Sequence, residues 1–217
     1  MSETEYSEIE VSNVSLTINK TIILNDISMQ MEKGKIYGLV GRNGSGKTML
    51  MKCICGFVRP DSGSVRVQGR LVGTDVDFPG NVGIIIENPG FIPYYSGMKN
   101  LEMLAGLKRK ITKEQIARAM QLAGLEPGLK RHTGKYSLGM RQRLGIAQAI
   151  MEEPDILILD EPMNGLDKDG VNDMRKLFLQ MKEQGKTMLI ASHNADDIDI
   201  LCDHVWEMEK GTADKIR

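Results

Sequence analysis

Gly41-Arg42-Asn43-Gly44-Ser45-Gly46-Lys47-Thr48 stands between the apolar run Ile36 to Val40 and the stretch Thr48 to Phe57, which carries helix-forming Met, Leu and Lys. A strand that passes through such a loop into a helix builds a nest for anions. Gly41, Gly44 and Gly46 accept left-handed or crowded backbone conformations, so successive N–H groups turn inward at the positive end of the following helix. Asn43 and Ser45 belong to the same cradle. Lys47 offers a point charge to the β and γ phosphates of a nucleoside triphosphate, and the Thr48 hydroxyl offers one ligand to Mg²⁺.

The next stretch with chemistry in it is Ile156-Leu157-Ile158-Leu159-Asp160-Glu161. Four apolar residues in succession suit a strand buried on both faces, and the acids arrive where it leaves the sheet. That carboxyl end is where doubly wound sheets bind ligands. Asp160 can there address Mg²⁺, and Glu161 can act as general base on a water near the γ phosphate. Between the two motifs, Tyr136-Ser137-Leu138-Gly139-Met140-Arg141-Gln142-Arg143 directly precedes a helical run. Ser137 and Gly139 offer a hydroxyl and backbone donors to an anion, yet nothing places them beside Lys47 in the same chain. A helix cap at Ser137 is an equally good local reading.

Along its length the sequence divides into three parts. Residues 7 to 35 alternate Ile9, Val11, then Leu16, Ile18, and later Ile27, Met29, Met31, with Val65 and Val67 repeating the pattern, as in a half-buried antiparallel sheet. A short strand is expected over Val82 to Ile86. From about Glu87 to Lys135, opened by Pro89, Gly90 and Pro93, helical spacing over Met98 to Leu107 and Lys113 to Leu125 marks an inserted helical subdomain. Helix and strand then alternate through Leu138 to Met151, Asp155 to Leu159, Val171 to Lys182, Thr187 to Ala191 and Ala195 to Leu201, the pattern of a parallel sheet with helices on both faces. Val171, Met174, Phe178 and Met181 trace one apolar stripe for the core. The expected fold is α/β: a phosphate-loop parallel core with an antiparallel subdomain, one domain over 1–217. In it, 1–86 and 136–217 form the nucleotide-binding core and 87–135 the helical insert.

With 217 residues and a formal net charge of −1, the chain is long enough for a sizeable core and gives no electrostatic case for nucleic acid. Met1 to Glu8 is acidic and polar, unlike a secretory signal. No apolar run reaches the roughly eighteen residues needed to cross a bilayer, so a membrane role has to come through a partner. Cys53 and Cys55, two apart on a helix, point in different directions and make a poor metal pair; with Cys202 they read as packing residues of a reduced compartment.

Taken in order and spacing, Gly41 to Thr48, Tyr136 to Met140, Leu159-Asp160-Glu161-Pro162, Asn164-Gly165-Leu166-Asp167 and Ser192-His193 resemble the ATPase subunits of ABC transporters over nearly the whole chain. The resemblance implies ATP with Mg²⁺ and a head-to-tail pair of ATPase subunits, identical or not. The loop of one and the Ser137 and Gly139 segment of the other would enclose each nucleotide. It further implies Asp160 on the magnesium side, Glu161 as catalytic base, Asp167 in communication between subunits and His193 as a γ-phosphate contact acting with Lys47. The run Ile85-Ile86-Glu87-Asn88-Pro89-Gly90-Phe91 resembles the exporter branch associated with bacitracin and lantibiotic self-protection. That branch implies a separate ATPase subunit, cytoplasmic and peripheral on the inner face of the cell membrane. A multi-span permease would hold it there, contacted by the helical insert with Tyr94 and Tyr95.

Three departures from the family pattern carry expectations of their own. Glu87 stands where most such subunits have Gln; its carboxylate can ligate Mg²⁺ or orient water, but it adds negative charge near phosphate. The usual Leu-Ser-Gly-Gly-Gln is here Tyr-Ser-Leu-Gly-Met, which keeps Ser137 and Gly139 and substitutes Leu138 and Met140. The aromatic residue that stacks on adenine should fall near Ile18 or Asn19, and neither is aromatic. Since such stacking is worth about 1 to 3 kcal/mol, weak discrimination between ATP and GTP is expected. Glu87 and the altered signature leave room for one alternative, a nucleotide-sensing regulatory subunit with little hydrolysis. An ABC ATPase acting on DNA or ribosomes would need a long coiled coil or a second cassette, and a kinase would need an acceptor site; the sequence shows none of these. The leading expectation is an ATP-hydrolysing subunit that powers export through a separate permease.

Overall fold

The computed structural model describes residues 7–217 apart from Asn88 and Arg109. Asn88, in the run that suggested the exporter branch, and the acidic opening Met1 to Tyr6 lie outside the described residues. The alternating N-terminal segment folds as strands β1 (Ile9–Ile18) and β2 (Thr21–Met31), joined through Asn19 and Lys20 at φ 51° and 67°. Two left-handed residues in succession make the tight turn whose twist matches that of paired strands. β3 (Ile36–Val40), α1 (Lys47–Ile54), β4 (Ser62–Val67), β5 (Arg70–Leu71) and β6 (Val82–Ile85) follow. β1 pairs antiparallel with both β2 and β4, giving a sheet in the order β2-β1-β4-β5.

Helices α2 (Gly97–Lys108) and α3 (Lys113–Leu122) come next, where helical spacing anticipated them. Thr112 caps α3 with a reciprocal pair of bonds to Gln115, which satisfies two donors at the helix start. The chain then alternates α4 (Leu138–Ile150), β7 (Ile156–Asp160), α5 (Lys168–Glu183), β8 (Thr187–Ala191) and α6 (Ala195–Leu201), and ends in β9 (His204–Glu209) and β10 (Thr212–Lys215). The second sheet has the order β10-β9-β3-β8-β7-β6; its inner pairs are parallel and only β10 runs antiparallel, at the edge.

The apolar runs of β7 and β8 serve two cores at once. Ile156 and Ile158, with Leu189 and Ala191, face the antiparallel sheet and α1, whereas Leu157 and Leu159, with Met188 and Ile190, face α4 and α5. Side chains alternate across a strand, so a strand covered on both faces reads as unbroken apolar sequence. The stripe on α5 lies where expected: Met174 and Phe178 are fully buried and Met181 nearly so, with Val171 half-buried beside them. Helices do cover both faces, but unequally. α1 and the antiparallel sheet share one face, and the remaining helices take the other. α4 approaches β6 so closely that a Cβ on Gly83 would lie 2.1 Å from the Ala149 carbonyl oxygen.

Cys53 and Cys55 are buried and Cys202 partly so. Burial pushes their thiols up, to about 11 for Cys53 and about 12 for the other two, so they stay protonated and pack as small apolar groups. Among the described residues no helix is long and apolar enough to cross a membrane.

Candidate nucleotide-binding site

The loop after β3 reaches α1 through Gly41, Gly44 and Gly46 at φ 144°, 82° and 108°, values that side chains disfavour. Gly46 caps α1 in the left-handed conformation. Lys47, buried at 8% exposure, donates from Nζ to the carbonyl oxygens of Gly41 at 2.6 Å and Arg42 at 3.1 Å. Its charge is thereby held within the curl of the loop. Ser45 is also buried, and its Oγ has no partner among the described residues.

Strand register brings the acids to this loop. Leu39 of β3 faces Ala191 of β8, Asp160 of β7 faces the same Ala191, and Leu159 faces Ile85 of β6. The carboxyl ends of four strands therefore open at one level, with Gly41, Glu161 and Ser192 directly after β3, β7 and β8 and Glu87 two residues after β6. Thr48 Oγ1 donates to Asp160 Oδ2 at 2.7 Å, which ties the first turn of α1 to the tip of β7. Glu161 follows at φ 49°, with its N–H donated to the Ala191 carbonyl and its Oε2 2.9 Å from His193 Nδ1. From α4, the buried Gln142 donates Nε2 to the carbonyls of Pro162 at 2.8 Å and Glu161 at 3.2 Å, fastening the turn that carries the acid. Gln142 lies within the quoted Tyr136 to Arg143 segment, but its role needs partners about twenty residues away and was not read from the sequence.

One cavity of about 790 Å³ is lined by Asn43, Gly44, Gly46, Lys47 and Thr48 on the loop side and by Glu87, Gln142, Asp160, Glu161 and Asn164 opposite, whereas His193, though bonded to Glu161, lines a neighbouring cavity with Gly41. Glu87 lies at the rim with Oε1 on Lys52 Nζ at 2.6 Å, not on the Thr48 and Asp160 pair. Among the described residues no three His, Cys, Asp or Glu side chains cluster as a metal cage. Mg²⁺ asks for less: it keeps several waters and takes one or two protein oxygens beside those of a phosphate, so the hard oxygen pair of Thr48 and Asp160 fits it.

Other expected residues lie elsewhere. Ser137 and Gly139 are outside this cavity; Ser137 Oγ accepts the Met140 N–H at 3.2 Å as the cap of α4, and Gly139 sits against the Gly165 carbonyl. Asp167 caps α5 by accepting the Gly170 N–H at 2.9 Å. Ile18 and Asn19 do not reach the cavity, whereas Ile23, further along the hairpin, does.

A glycine loop capping a helix, a carboxylate bonded to its threonine and a second acid beside it at the end of a parallel sheet are the elements of a phosphate-loop nucleotide-binding fold. Comparison with known proteins narrows the class. Residues 24–164 match the family described as ABC transporter. The uncharacterised ABC transporter ATP-binding protein YybJ of Bacillus subtilis (strain 168) is 44% identical over 211 residues, which cover 96% of this chain and 97% of that protein. The bacitracin transport ATP-binding protein BcrA of Enterococcus faecalis is 40% identical over 205 residues, or 94% of this chain and 67% of its own length. The ATP-binding cassette MJ0796, in a dimeric post-hydrolysis state bound to ADP and Pi, superposes with a TM-score of 0.86 over 96% of this chain and 99% of its own. At 19% identity it speaks to the fold alone. The chain belongs to the ABC transporter ATP-binding family.

Proposed function

We propose that this chain binds and hydrolyses ATP as the energy-supplying subunit of an exporter whose membrane path is a separate permease. The observation that carries the reading is the convergence of Lys47, Thr48, Asp160 and Glu161 on one cavity. Loop amides and Lys47 bind the phosphates, and the Glu161 carboxylate takes the proton from the attacking water. His193, bonded to that carboxylate, orients it and reaches toward the γ phosphate. Gln142 keeps the Glu161 and Pro162 turn in register with the loop. Thr48 and Asp160 would hold Mg²⁺, which would supply positive charge beside the phosphates. Ile23 offers the base an aliphatic surface in place of an aromatic one, so ATP and GTP are expected to turn over at similar rates.

The catalytic unit is a head-to-tail pair of ATPase subunits. Ser137 and Gly139, remote from the cavity of their own chain, close the site of the partner. Support comes from the exposed position of Ser137 and from its absence from the cavity of its own chain. Residues 87–135 form the helical insert and meet the permease at the cytoplasmic face of the membrane. There, a groove of about 410 Å³ holds Phe57, Ile84, Ile86 and Pro89 beside Leu104 and Leu107 of α2, and Leu107 is 82% exposed. Tyr94 and Tyr95 stand exposed on the same insert. Likeness to the bacitracin protein BcrA makes an antimicrobial peptide the first cargo to test.

Glu161→Gln decides the matter. It should bind ATP, accumulate a dimer in size-exclusion chromatography, and turn over about 10² to 10⁴-fold more slowly. Unchanged turnover removes Glu161 from the mechanism. A wild-type chain that binds ATP and stays idle beside its permease is a nucleotide sensor, and one with no affinity for adenine or guanine triphosphates overturns the reading.

A further inference from the structure

Glu87 brings a third carboxylate to a cavity built for polyphosphate, beside Asp160 and Glu161. Ile85 faces Leu159 in parallel register, so Glu87 leaves β6 at the level where Glu161 leaves β7. Lys47 is the cation that lines the cavity among the described residues, and three acids against one lysine oppose an anionic ligand. The imbalance is corrected from behind. Lys52 lies one helical turn beyond Thr48 on the same face of α1, and its Nζ meets Glu87 Oε1 at 2.6 Å. Its side chain is 22% exposed against 65% for Glu87, so the lysine is the fixed member of the pair and the carboxylate is the member it holds.

We propose that Lys52 is a positioning residue of the nucleotide site: its ammonium holds and neutralises Glu87, so that the two together act as one uncharged group at the cavity rim. Thr48 with Asp160, and Lys52 with Glu87, are then successive rungs from one helix face to two neighbouring strand ends. The proposal rests on the ATP-binding reading and adds to it how this chain accommodates a glutamate there. A plain structural role for Lys52 competes, since a cation in the last turn of α1 also complements the helix dipole.

Charge cancellation separates the two. ATP affinity is measured by isothermal titration calorimetry, with Mg²⁺ and again with EDTA, on the wild type, Lys52→Met, Lys52→Arg, Glu87→Gln and the double variant. Lys52→Met should weaken ATP roughly threefold to tenfold, the effect of one unpaired carboxylate several ångströms from phosphate near a surface. Lys52→Arg should keep wild-type affinity. Adding Glu87→Gln to Lys52→Met should return affinity to within about twofold of the wild type, although the lysine is still missing. A loss that persists in the double variant, or no loss in Lys52→Met, overturns the proposal while leaving the ATP-binding reading intact. A wild type that binds no ATP sinks that reading and the proposal with it.

Discussion

Replacing Gly41 and Gly44 by alanine, one at a time, should separate what the phosphate loop does for the fold from what it does for the ligand. A Cβ on Gly41 would lie 2.3 Å from the carbonyl oxygen of Met208 and 2.8 Å from Ser45 Oγ. Met208 belongs to β9, which pairs with β3 immediately before the loop, Val40 opposite Glu207. Relief of the contact therefore requires β9 to move off the parallel sheet. Backbone strain at φ 144° and overpacking against a main-chain atom each cost about 1 to 3 kcal/mol, so a sum near 4 kcal/mol is expected. For a chain of this size that lowers Tm by about 8 to 16 °C.

Gly44 has no atom within 4 Å of the same position, and its φ of 82° costs an alanine only about 1.5 kcal/mol, or about 3 to 6 °C. Its methyl would, however, project from a residue that lines the cavity. Scanning calorimetry and calorimetric ATP titration should thus give crossed results, with Gly41→Ala the worse for stability and Gly44→Ala losing affinity at nearly wild-type stability. Equal losses of Tm, or a thermally silent Gly41→Ala, would refute the argument that β9 sets the floor of the loop.

Phe178→Ala should cost about 3 to 5 kcal/mol in urea unfolding with an unchanged m-value, because the ring is fully buried between α5 and the parallel sheet. Arg175→Met should cost about 3 to 5 kcal/mol by the same measurement, since Arg175 pairs through Nε and Nη2 with Asp197, which is 4% exposed and would be left as an unpaired buried charge. Burial alone would raise the Asp203 carboxyl, but the bonds from Lys182 and the Ile36 N–H outweigh it and hold the group below its usual range. A depressed folded value stabilises above the unfolded value, near pH 4, and that stability is lost as pH falls through the folded value. Asp203→Asn should therefore lower Tm at pH 7, with the difference from wild type closing below about pH 4.

What the sequence disclosed was chemistry concentrated in contiguous residues. The apolar run ending in Asp160 and Glu161 and the stripe on α5 carry local patterns that burial on two faces or one imposes, and the glycine loop carries one imposed by positive φ. The hairpin of β9 and β10 escaped because it is half-exposed at a sheet edge, with Val205 and Met208 buried among polar neighbours. A signal was present in Lys210-Gly211, at φ 48° and 86°, a two-residue turn of the kind hairpins favour. Gln142, and the pairing of Lys52 with Glu87, could not be read locally. Their partners lie 19 to 35 residues away, and a lysine looks the same in sequence whether or not a carboxylate awaits it.

Glu87 and Glu161 share a design that explains why the site depends on the sheet. Both are in the left-handed region, at φ 62° and 49°, where a residue with a side chain costs about 1 to 2 kcal/mol, and both follow strands whose register sets them side by side. The turn takes each carboxylate out of the line of its strand and over the cavity, and each then finds a partner from another element, Lys52 of α1 or His193 beyond β8. Such strain persists only where surrounding structure over-determines it. Here the surround is the buried β7 and β8, the Ala191 carbonyl that receives the Glu161 N–H, and the Gln142 amide beneath the following turn. The two acids thus owe their placement to strands stabilised by burial behind the cavity, so a substitution at either tip should leave the sheet that presents it unaltered.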